Sequence, residues 1–311
     1  MKILELTIGV SASGKTTYAE REATKPGVVN LNRDDMRQEL FMEEHGRRFV
    51  WGEWQFTKEN EKKVGEMQMQ RTLDAMARPD VTKVIISDTN LKPEFRKHWE
   101  SLAATNGWTY KTKICHVTEE EAFRRDAARE MQVTKKVIRN QMRVYHASNK
   151  DLILQHFKDL LEEAWNGKVG NYVLSDIDGT VAEMHKDEPG KRKPYEWHRV
   201  AEDSPRQNVI DVLTMYFNAG KDITFFSGRD GVCRAETALW LHQYIPFEKY
   251  GLLMRQAKDQ RPDWVVKSEL LLEIALLTGS KPLLMLDDRN QVVDAMRFLG
   301  VEVWQVQPGD F

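Results

Sequence analysis

Short apolar runs alternate with charged, helix-forming stretches through the first half of the chain. The runs are Ile3–Ile8, Val28–Leu31, Val84–Ile86 and Tyr110–Val117. Each is rich in Ile, Val or aromatic residues, as strands are. Between them Lys15–Ala23, Lys58–Ala77 and Pro93–Thr105 read as helices. Strands alternating with helices imply a parallel sheet with helices on both faces. From Glu119 to about Gln155 the pattern stays helical and charged, with no strand run.

A second cycle follows. Leu152–Ala164 places apolar residues at helical spacing, and the glycines of Trp165–Gly170 end it. Strand-like runs then appear at Tyr172–Ile177, Ile223–Phe226, Leu283–Leu286 and Val301–Trp304. Helical patterns lie between them at Val209–Asn218, Ala235–Tyr244 and Val265–Leu277. The expected fold class is α/β, with two domains over 1–152 and 169–311 and a linker helix over 153–168. A length of 311 residues suits two such cores.

Composition narrows the function classes. Hydrophobic residues make 41% and charged residues 30% of the chain, which excludes a fibrous or disordered protein. The formal net charge is -2, so a nucleic acid could be met only by a local basic patch. Cys115 and Cys233 suit neither a zinc site nor a disulfide framework and read as thiols of a reducing compartment. The N-terminal apolar run is too soon broken for a signal peptide, and no run reaches the roughly 18 residues that span a bilayer. The expected location is cytoplasmic, with no membrane partner.

Gly9–Thr16 fits G-x-x-x-x-G-K-[ST] between a strand and a helix. A loop there points several backbone N–H groups at one phosphate, and the helix adds its positive end. Lys15 would reach the β- and γ-phosphates, and the Thr16 hydroxyl would hold Mg²⁺. Gly9, Ser13, Gly14, Lys15, Thr16 and Thr17 are the nucleotide-binding candidates. Ala12 stands where many kinases carry glycine.

A cradle alone implies a nucleoside triphosphate, not a kinase. Asn32–Arg37 (NRDDMR) follows the second strand. An acid there can take the proton of an attacking hydroxyl, and Arg37 can grip an acceptor phosphate with paired donors. The same residues also read as a charged helix start with an Asp N-cap. Ser87–Asn90 (SDTN) ends the third strand, where ligands of open α/β sheets collect, so Asp88 and Thr89 are acceptor-side candidates. Alternatively they form an Asp/Asn turn. Arg125 and Arg129 lie four apart on a helix, either as a lid over the nucleotide or as a solvated face.

The fifth apolar run leads into Asp176-Ile177-Asp178-Gly179-Thr180, and Asp176 and Asp178 share one side of a period-two strand. One carboxylate can attack phosphorus while the other protonates the leaving oxygen, with Mg²⁺ screening the charge. A calcium loop also begins D-x-D, but no Glu completes its twelve residues. Ser227-Gly228-Arg229 follows the next strand, and Ser227 can donate to a phosphoryl group. Lys267 alone reads as a surface lysine; in this order it offsets charge on an aspartyl-phosphate. Asp287 and Asp288 form a carboxylate pair suited to a hard cation.

DIDGT, SGR, the lysine and DD together resemble the haloacid dehalogenase (HAD) phosphatase superfamily, a Rossmann-like α/β fold. With GVSASGKT, NRDDMR and SDTN, the whole chain resembles the bacteriophage polynucleotide kinase/3′-phosphatase family of end-healing enzymes, down to the C-terminal VEVWQVQPGDF. The resemblance implies ATP and Mg²⁺ as donor and cofactor. Lys15 and Thr16 would then engage the donor phosphates, Asp34 would be the general base toward a 5′-OH, and Arg37, Asp88 and Thr89 would bind the acceptor. Arg129, with Arg125, would touch the donor phosphates. Asp176 would be the phosphatase nucleophile and Asp178 its acid–base, and Ser227, Arg229, Arg255, Lys267, Asp287 and Asp288 would complete that site. Asp176, Asp178, Asp287 and Asp288 would serve its metal.

The implied job prepares RNA or DNA breaks for a polynucleotide ligase, with 2′,3′-cyclic ends as a further substrate. The implied assembly is a homotetramer in the cytoplasm of an infected host. The P-loop interior (Val-Ser-Ala), the linker and the segment between Glu183 and Val209 depart from the family. A metabolic kinase/phosphatase of a small sugar or nucleoside would keep both sites, and a nucleotide-gated switch would not need the Asp176/Asp178 pair. Lys135–Arg143 (KKVIRNQMR) steers a phosphate backbone or is a solvated face. Trp51 and Trp54 stack on a base or pack internally.

Overall fold

The computed structural model describes residues 1–50, 52–129, 132–185 and 188–309; the expectation on Trp51 lies outside the described residues. Two compact units form, Met1–Ile153 and Leu154–Phe311.

The first unit runs β1 (Ile3–Ile8), α1 (Lys15–Ala23), β2 (Val28–Leu31), α2 (Arg33–His45), α3 (Lys58–Ala77), β3 (Lys83–Ile86), α4 (Pro93–Thr105), β4 (Thr109–Ile114), α5 (Glu119–Ala127) and α6 (Lys135–Ser148). The division between the units falls inside α7 (Lys150–Trp165). The strands pair in parallel in the order β2-β3-β1-β4. β1 is flanked on both edges, and so it is buried from Leu4 to Ile8, the polar Glu5 and Thr7 included. Leu4, Leu6, Val84 and Ile86 join Ala75 and Met76 of α3 and Trp99 and Ala103 of α4 in one core. Each leucine buried there stabilises the unit by about 1.5–3 kcal/mol. Because all four strands point one way, the loops after β1, β2 and β3 emerge at one edge.

The second unit runs β5 (Tyr172–Ser175), β6 (Ala182–Glu183), β7 (Ser204–Pro205), α8 (Gln207–Asn218), β8 (Asp222–Ser227), α9 (Arg234–Tyr244), β9 (Gly251–Met254), α10 (Asp263–Thr278), β10 (Leu284–Arg289), α11 (Asn290–Phe298) and β11 (Val303–Gly309). Its sheet is parallel, in the order β11-β10-β5-β8-β9, and β6 and β7 form a separate antiparallel pair. Val173, Ile223, Phe225, Leu284 and Leu286 from the sheet pack with Ile210, Leu213, Trp240 and Leu241 from α8 and α9.

Several boundaries differ from the pattern. β4 stops at Ile114 and β5 at Ser175, so the expected runs overshoot. β10 instead continues to Arg289, which carries Asp287 and Asp288 within the strand rather than after it. β9, the β6–β7 pair and α11 were not expected. The GLLM of β9 has no β-branched residue, and β6 and β7 are two residues each. No helix among the described residues is long and apolar enough to cross a membrane.

Candidate active sites

The phosphate cradle forms where β1 turns into α1. A Cβ on Gly9 would lie 2.6 Å from the Cys115 carbonyl, so the turn needs glycine there. Gly14 caps α1 with φ 91°. Ala12 also sits in the left-handed region, at φ 61°, a conformation that glycine adopts more readily. The Lys15 ammonium folds back onto the Val10 carbonyl at 2.6 Å and reaches Ser13 Oγ at 3.5 Å. Burial lowers it to about 8; Cys115 opposes that fall and Arg129 adds to it. Thr16 and Thr17 are exposed on the wall of the same cleft.

The start of α2 carries the acceptor-side candidates. Its N-cap is Asn32, whose side chain accepts from the Asp35 N–H, and not an Asp. Asp34 therefore lies in the first helical turn, with its carboxylate largely exposed and paired to Arg37 at 2.5 Å. Arg37 also makes two bonds to Glu61, at 3.0 and 2.8 Å. Glu61 further accepts from Arg33 and from Trp54 Nε1, each at 3.0 Å. Trp54 is thus an internal packing residue beside Phe49 and Phe41. Burial would raise the Glu61 carboxyl, but Arg37, Trp54 and Arg33 hold it below the usual range.

Asp88 uses both carboxylate oxygens on the protein: one accepts from the Arg33 N–H at 2.9 Å, the other from Gln68 Nε2 at 2.7 Å. Burial pushes its carboxyl up against those two donors. The Thr89 carbonyl accepts from the Gly9 N–H at 3.1 Å, which ties the SDTN turn to the cradle. Lys15, Thr16, Thr17, Asp34, Arg37, Asp88, Thr89, Arg125 and Arg129 all line one cleft of about 1570 Å³. Arg125 is held by Glu121 at 2.6 Å, and Arg129 stands 3.9 Å from Asp126; both remain partly exposed. In the basic stretch, Val137, Asn140 and Gln141 line the cleft, while Arg139 pairs with Glu119.

In the second unit β5, β8 and β10 bring Asp176, Ser227 and Asp287 to buried positions at their C-terminal ends. Oxygens of Asp176, Asp287 and Asp288 lie within 4.8 Å of one another. Lys267, from α10, sits between Asp176 at 2.7 Å and Asp287 at 2.6 Å. Burial raises the Asp176 carboxyl well above its usual range; Asp287 and Asp288 add to the rise, and Lys267 opposes it. Burial and Asp287 also lift Asp288 to about 7. Burial would lower Lys267, but the carboxylates around it raise it instead. Three carboxylates against one ammonium leave an oxygen-only, anionic set, which fits a divalent cation such as Mg²⁺. Gly179, at φ 76°, lets Asp288 press against the chain, since a Cβ there would fall 2.0 Å from its Oδ2.

Asp178 is not in that set. Its Oδ1 accepts from Arg229 Nε and Nη2, at 3.0 and 2.7 Å, and from Arg192 Nη2 at 2.9 Å. Burial would raise it, but the two guanidiniums outweigh that and hold it below its usual range. The expectation that its carboxylate serves the metal is therefore revised: it faces cations instead. Both arginines are in turn held by Asp203, at 2.6–2.8 Å. Ser227 Oγ accepts from the Arg229 N–H at 3.2 Å. Arg255 spends its donors on the carbonyls of Gly228, Asp259 and Arg261 and on Asp263, so it braces the loop into α10 and does not reach the carboxylates.

Sequence reasoning missed Glu61, Gln68, Arg192 and Asp203. The cations of Lys191–Lys193 were the one local signal for Arg192, in a segment without strand or helix pattern.

Residues 170–311 match the family described as the polynucleotide kinase PNKP phosphatase domain, and residues 4–148 match the AAA domain family. The chain is an enzyme with a kinase-type half and a HAD-type phosphatase half. Both halves are α/β, as the pattern implied. A protein of Autographa californica nuclear polyhedrosis virus, described as a bifunctional polynucleotide kinase/RNA ligase, is 30% identical over 274 residues. That match covers 86% of this chain, which spans 37% of the relative's length. Among solved structures, the Pnkp1/Rnl/Hen1 RNA repair complex contains a chain 23% identical, with TM-score 0.41 and coverage of 100% of this chain and 97% of that one. A second Pnkp1/Rnl/Hen1 structure gives 26% identity, TM-score 0.42 and coverage of 100% and 98%. The P-loop follows the C-terminal end of β1 and Asp176 follows that of β5, each within the parallel sheet of its own unit.

Proposed function

We propose that the N-terminal unit transfers the γ-phosphate of ATP to a polynucleotide 5′-OH and that the C-terminal unit removes a 3′-phosphate. The observation that carries this reading is the composition of the kinase cleft. It holds Lys15 and Asp34 together and is lined by seven Lys or Arg residues against two carboxylates. That local excess stands in a chain of net charge -2 and suits a polyanionic acceptor beside a polyanionic donor.

In the kinase step, Lys15 leaves the Val10 carbonyl for the donor phosphates, and Arg125 and Arg129 close on them. Thr16 would hold the Mg²⁺ that accompanies ATP. Asp34 takes the proton of the 5′-OH as the new P–O bond forms and ADP departs. Arg37 grips the acceptor's 3′-phosphate, Glu61 holds that arginine in place, and Asp88 and Thr89 line the acceptor side.

In the phosphatase step, the Asp176 carboxylate attacks phosphorus and the bond to the 3′-oxygen breaks. Asp178 gives that oxygen a proton. All three guanidinium contacts fall on its Oδ1, so Oδ2 is the atom that exchanges it. Water then splits the aspartyl-phosphate while Asp178 recovers a proton, releasing inorganic phosphate. Lys267 holds Asp176, and Ser227 donates to the phosphoryl group. A divalent cation held by Asp176, Asp287 and Asp288 would neutralise charge between carboxylate and phosphate.

The same reading places the enzyme with the phage end-healing proteins, beside a ligase in the host cytoplasm and assembled as a tetramer. The viral relative's description, which names both a polynucleotide kinase and an RNA ligase, supports the ligase partnership.

The test uses two single variants and one end-labelled oligonucleotide carrying a 5′-OH and a 3′-phosphate. Asp34→Asn is expected to cost at least about 10³-fold in 5′-phosphorylation and to leave 3′-phosphate release intact. Asp176→Asn is expected to do the reverse. If either variant keeps the activity assigned to its residue, that assignment is wrong.

A further inference from the structure

The P-loop interior that departs from the family, Val10-Ser11-Ala12, is one short stretch of backbone. The Val10 carbonyl and the Ser11 N–H belong to a single peptide unit. That unit is planar and trans, so the two groups point to opposite sides. On one side the carbonyl accepts from the Ser13 N–H at 3.2 Å and from the Lys15 ammonium at 2.6 Å. On the other side the Ser11 N–H donates to Gln141 Oε1 at 2.7 Å, the short end of the range for such bonds. The next residue, Ala12, is the one held at φ 61°.

Gln141 comes from α6, 130 residues further along the chain. Gly9 and Ser13 spend their N–H groups on backbone carbonyls, whereas Ser11 spends its own on this distant side chain. The helix that presents Gln141 is well anchored. Ile138, Met142 and Tyr145 of α6 are buried. At its end Asn149 is buried too; its Nδ2 donates to the Leu91 carbonyl at 2.8 Å and its Oδ1 accepts from Arg96 at 2.8 Å. A side chain on so fixed an element can hold a backbone group in one orientation. Turning the Val10–Ser11 peptide would break the bond to Gln141 and swing the Val10 carbonyl away from both Ser13 and Lys15.

We propose that Gln141 is a positioning residue of the kinase cradle. It latches the Val10–Ser11 peptide so that the loop and Lys15 stand ready for the donor's phosphates. It also holds Ala12 in the left-handed conformation that glycine would adopt freely. The cradle thus keeps its shape through a hydrogen bond from outside the loop, where a glycine would keep it from within. The inference rests on the kinase reading given above and adds a residue that reading does not use.

The test measures the ATP dissociation constant by calorimetric titration, and kcat and KM for ATP in 5′-phosphorylation, on the full chain. Gln141→Met keeps the length and helix propensity of the side chain and removes the acceptor. It is expected to raise both the dissociation constant and KM about tenfold, the scale of one lost hydrogen bond, with kcat within about threefold of the wild type. Bound phosphates reassemble the loop, so the cost falls on binding and not on chemistry. A merely structural loss would instead lower kcat, by removing folded enzyme, and leave KM in place. Gln141→Ala is expected to give the same split. Adding Ala12→Gly to Gln141→Met is expected to recover at least about threefold of the lost affinity. Release of 3′-phosphate is expected to stay at the wild-type rate in both Gln141 variants. Unchanged ATP affinity in these variants, or a fall in kcat alone, overturns the latch. No recovery with Ala12→Gly overturns its link to position 12. A wild type that binds ATP but phosphorylates no polynucleotide end sinks the kinase reading, and the dissociation constants then still decide the latch.

Discussion

Lys15 and Lys267 are both buried lysines, and their surroundings shift them in opposite directions. Lys15 rests on a carbonyl, and burial brings it down to about 8. Lys267 lies between two carboxylates, which raise it despite its burial. The kinase cleft is short of negative charge, which the phosphates of the proposed donor would supply. The phosphatase site has carboxylates in surplus and is short of positive charge, which a divalent cation would supply. Both sites are electrostatically incomplete without a ligand, but with opposite signs.

The largest effect expected from this contrast lies in the phosphatase unit. Asp203 is fully buried and bonded to two buried arginines. Removing one member of a buried ion pair costs about 3–5 kcal/mol. Asp203→Ala should lower the denaturant stability of residues 154–311 by that amount, and a loss below about 1 kcal/mol would mean that the charges are not balanced within the protein.

A smaller effect separates the two lysines by pH. The free Lys15 ammonium titrates near 8, and bound phosphates raise it, so the bound state holds the proton more tightly. ATP affinity should therefore be flat below pH 8 and fall above it, by at most about tenfold per pH unit. Lys267 is shifted upward and stays charged throughout that window. Calorimetric titration with ATP at pH 7 and pH 9 checks this, and equal affinities would break the contrast.

The smallest effect concerns the loop itself. Ala12 carries φ 61° in the cradle, while the phosphatase turn uses glycine at its own positive-φ position, Gly179. Ala12→Gly should stabilise the kinase unit by about 0.5–1 kcal/mol, less whatever entropy glycine adds to the unfolded chain. A lower denaturation midpoint would show that the surrounding loop has already absorbed the strain.

The same contrast explains what could be read without coordinates. β1, α1 and the cradle were legible because an apolar run, a glycine spacing and a helix start follow one another within sixteen residues. The carboxylates at the strand ends were legible for the same reason. Glu61, Gln68, Arg192 and Asp203 were not, because each acts on a partner far along the chain. Asp203 meets Arg229 across 26 residues, and Glu61 meets Arg37 across 24. No local spacing rule covers contacts that the fold alone creates. Arg255 was assigned to the site by its family position, whereas its donors serve loop carbonyls.

The bond from the Arg33 N–H to Asp88 has a consequence for how inactive variants should be interpreted. It ties the first turn of α2 to the end of β3, and Asp34 is the next residue in that turn. On the proposed reading, an Asp88 variant silences the kinase through this tether, beyond what its own place on the acceptor side contributes. It would leave the base intact and move it out of reach. Supplying a stronger base or more ATP would not restore such an enzyme; rebuilding the tether would.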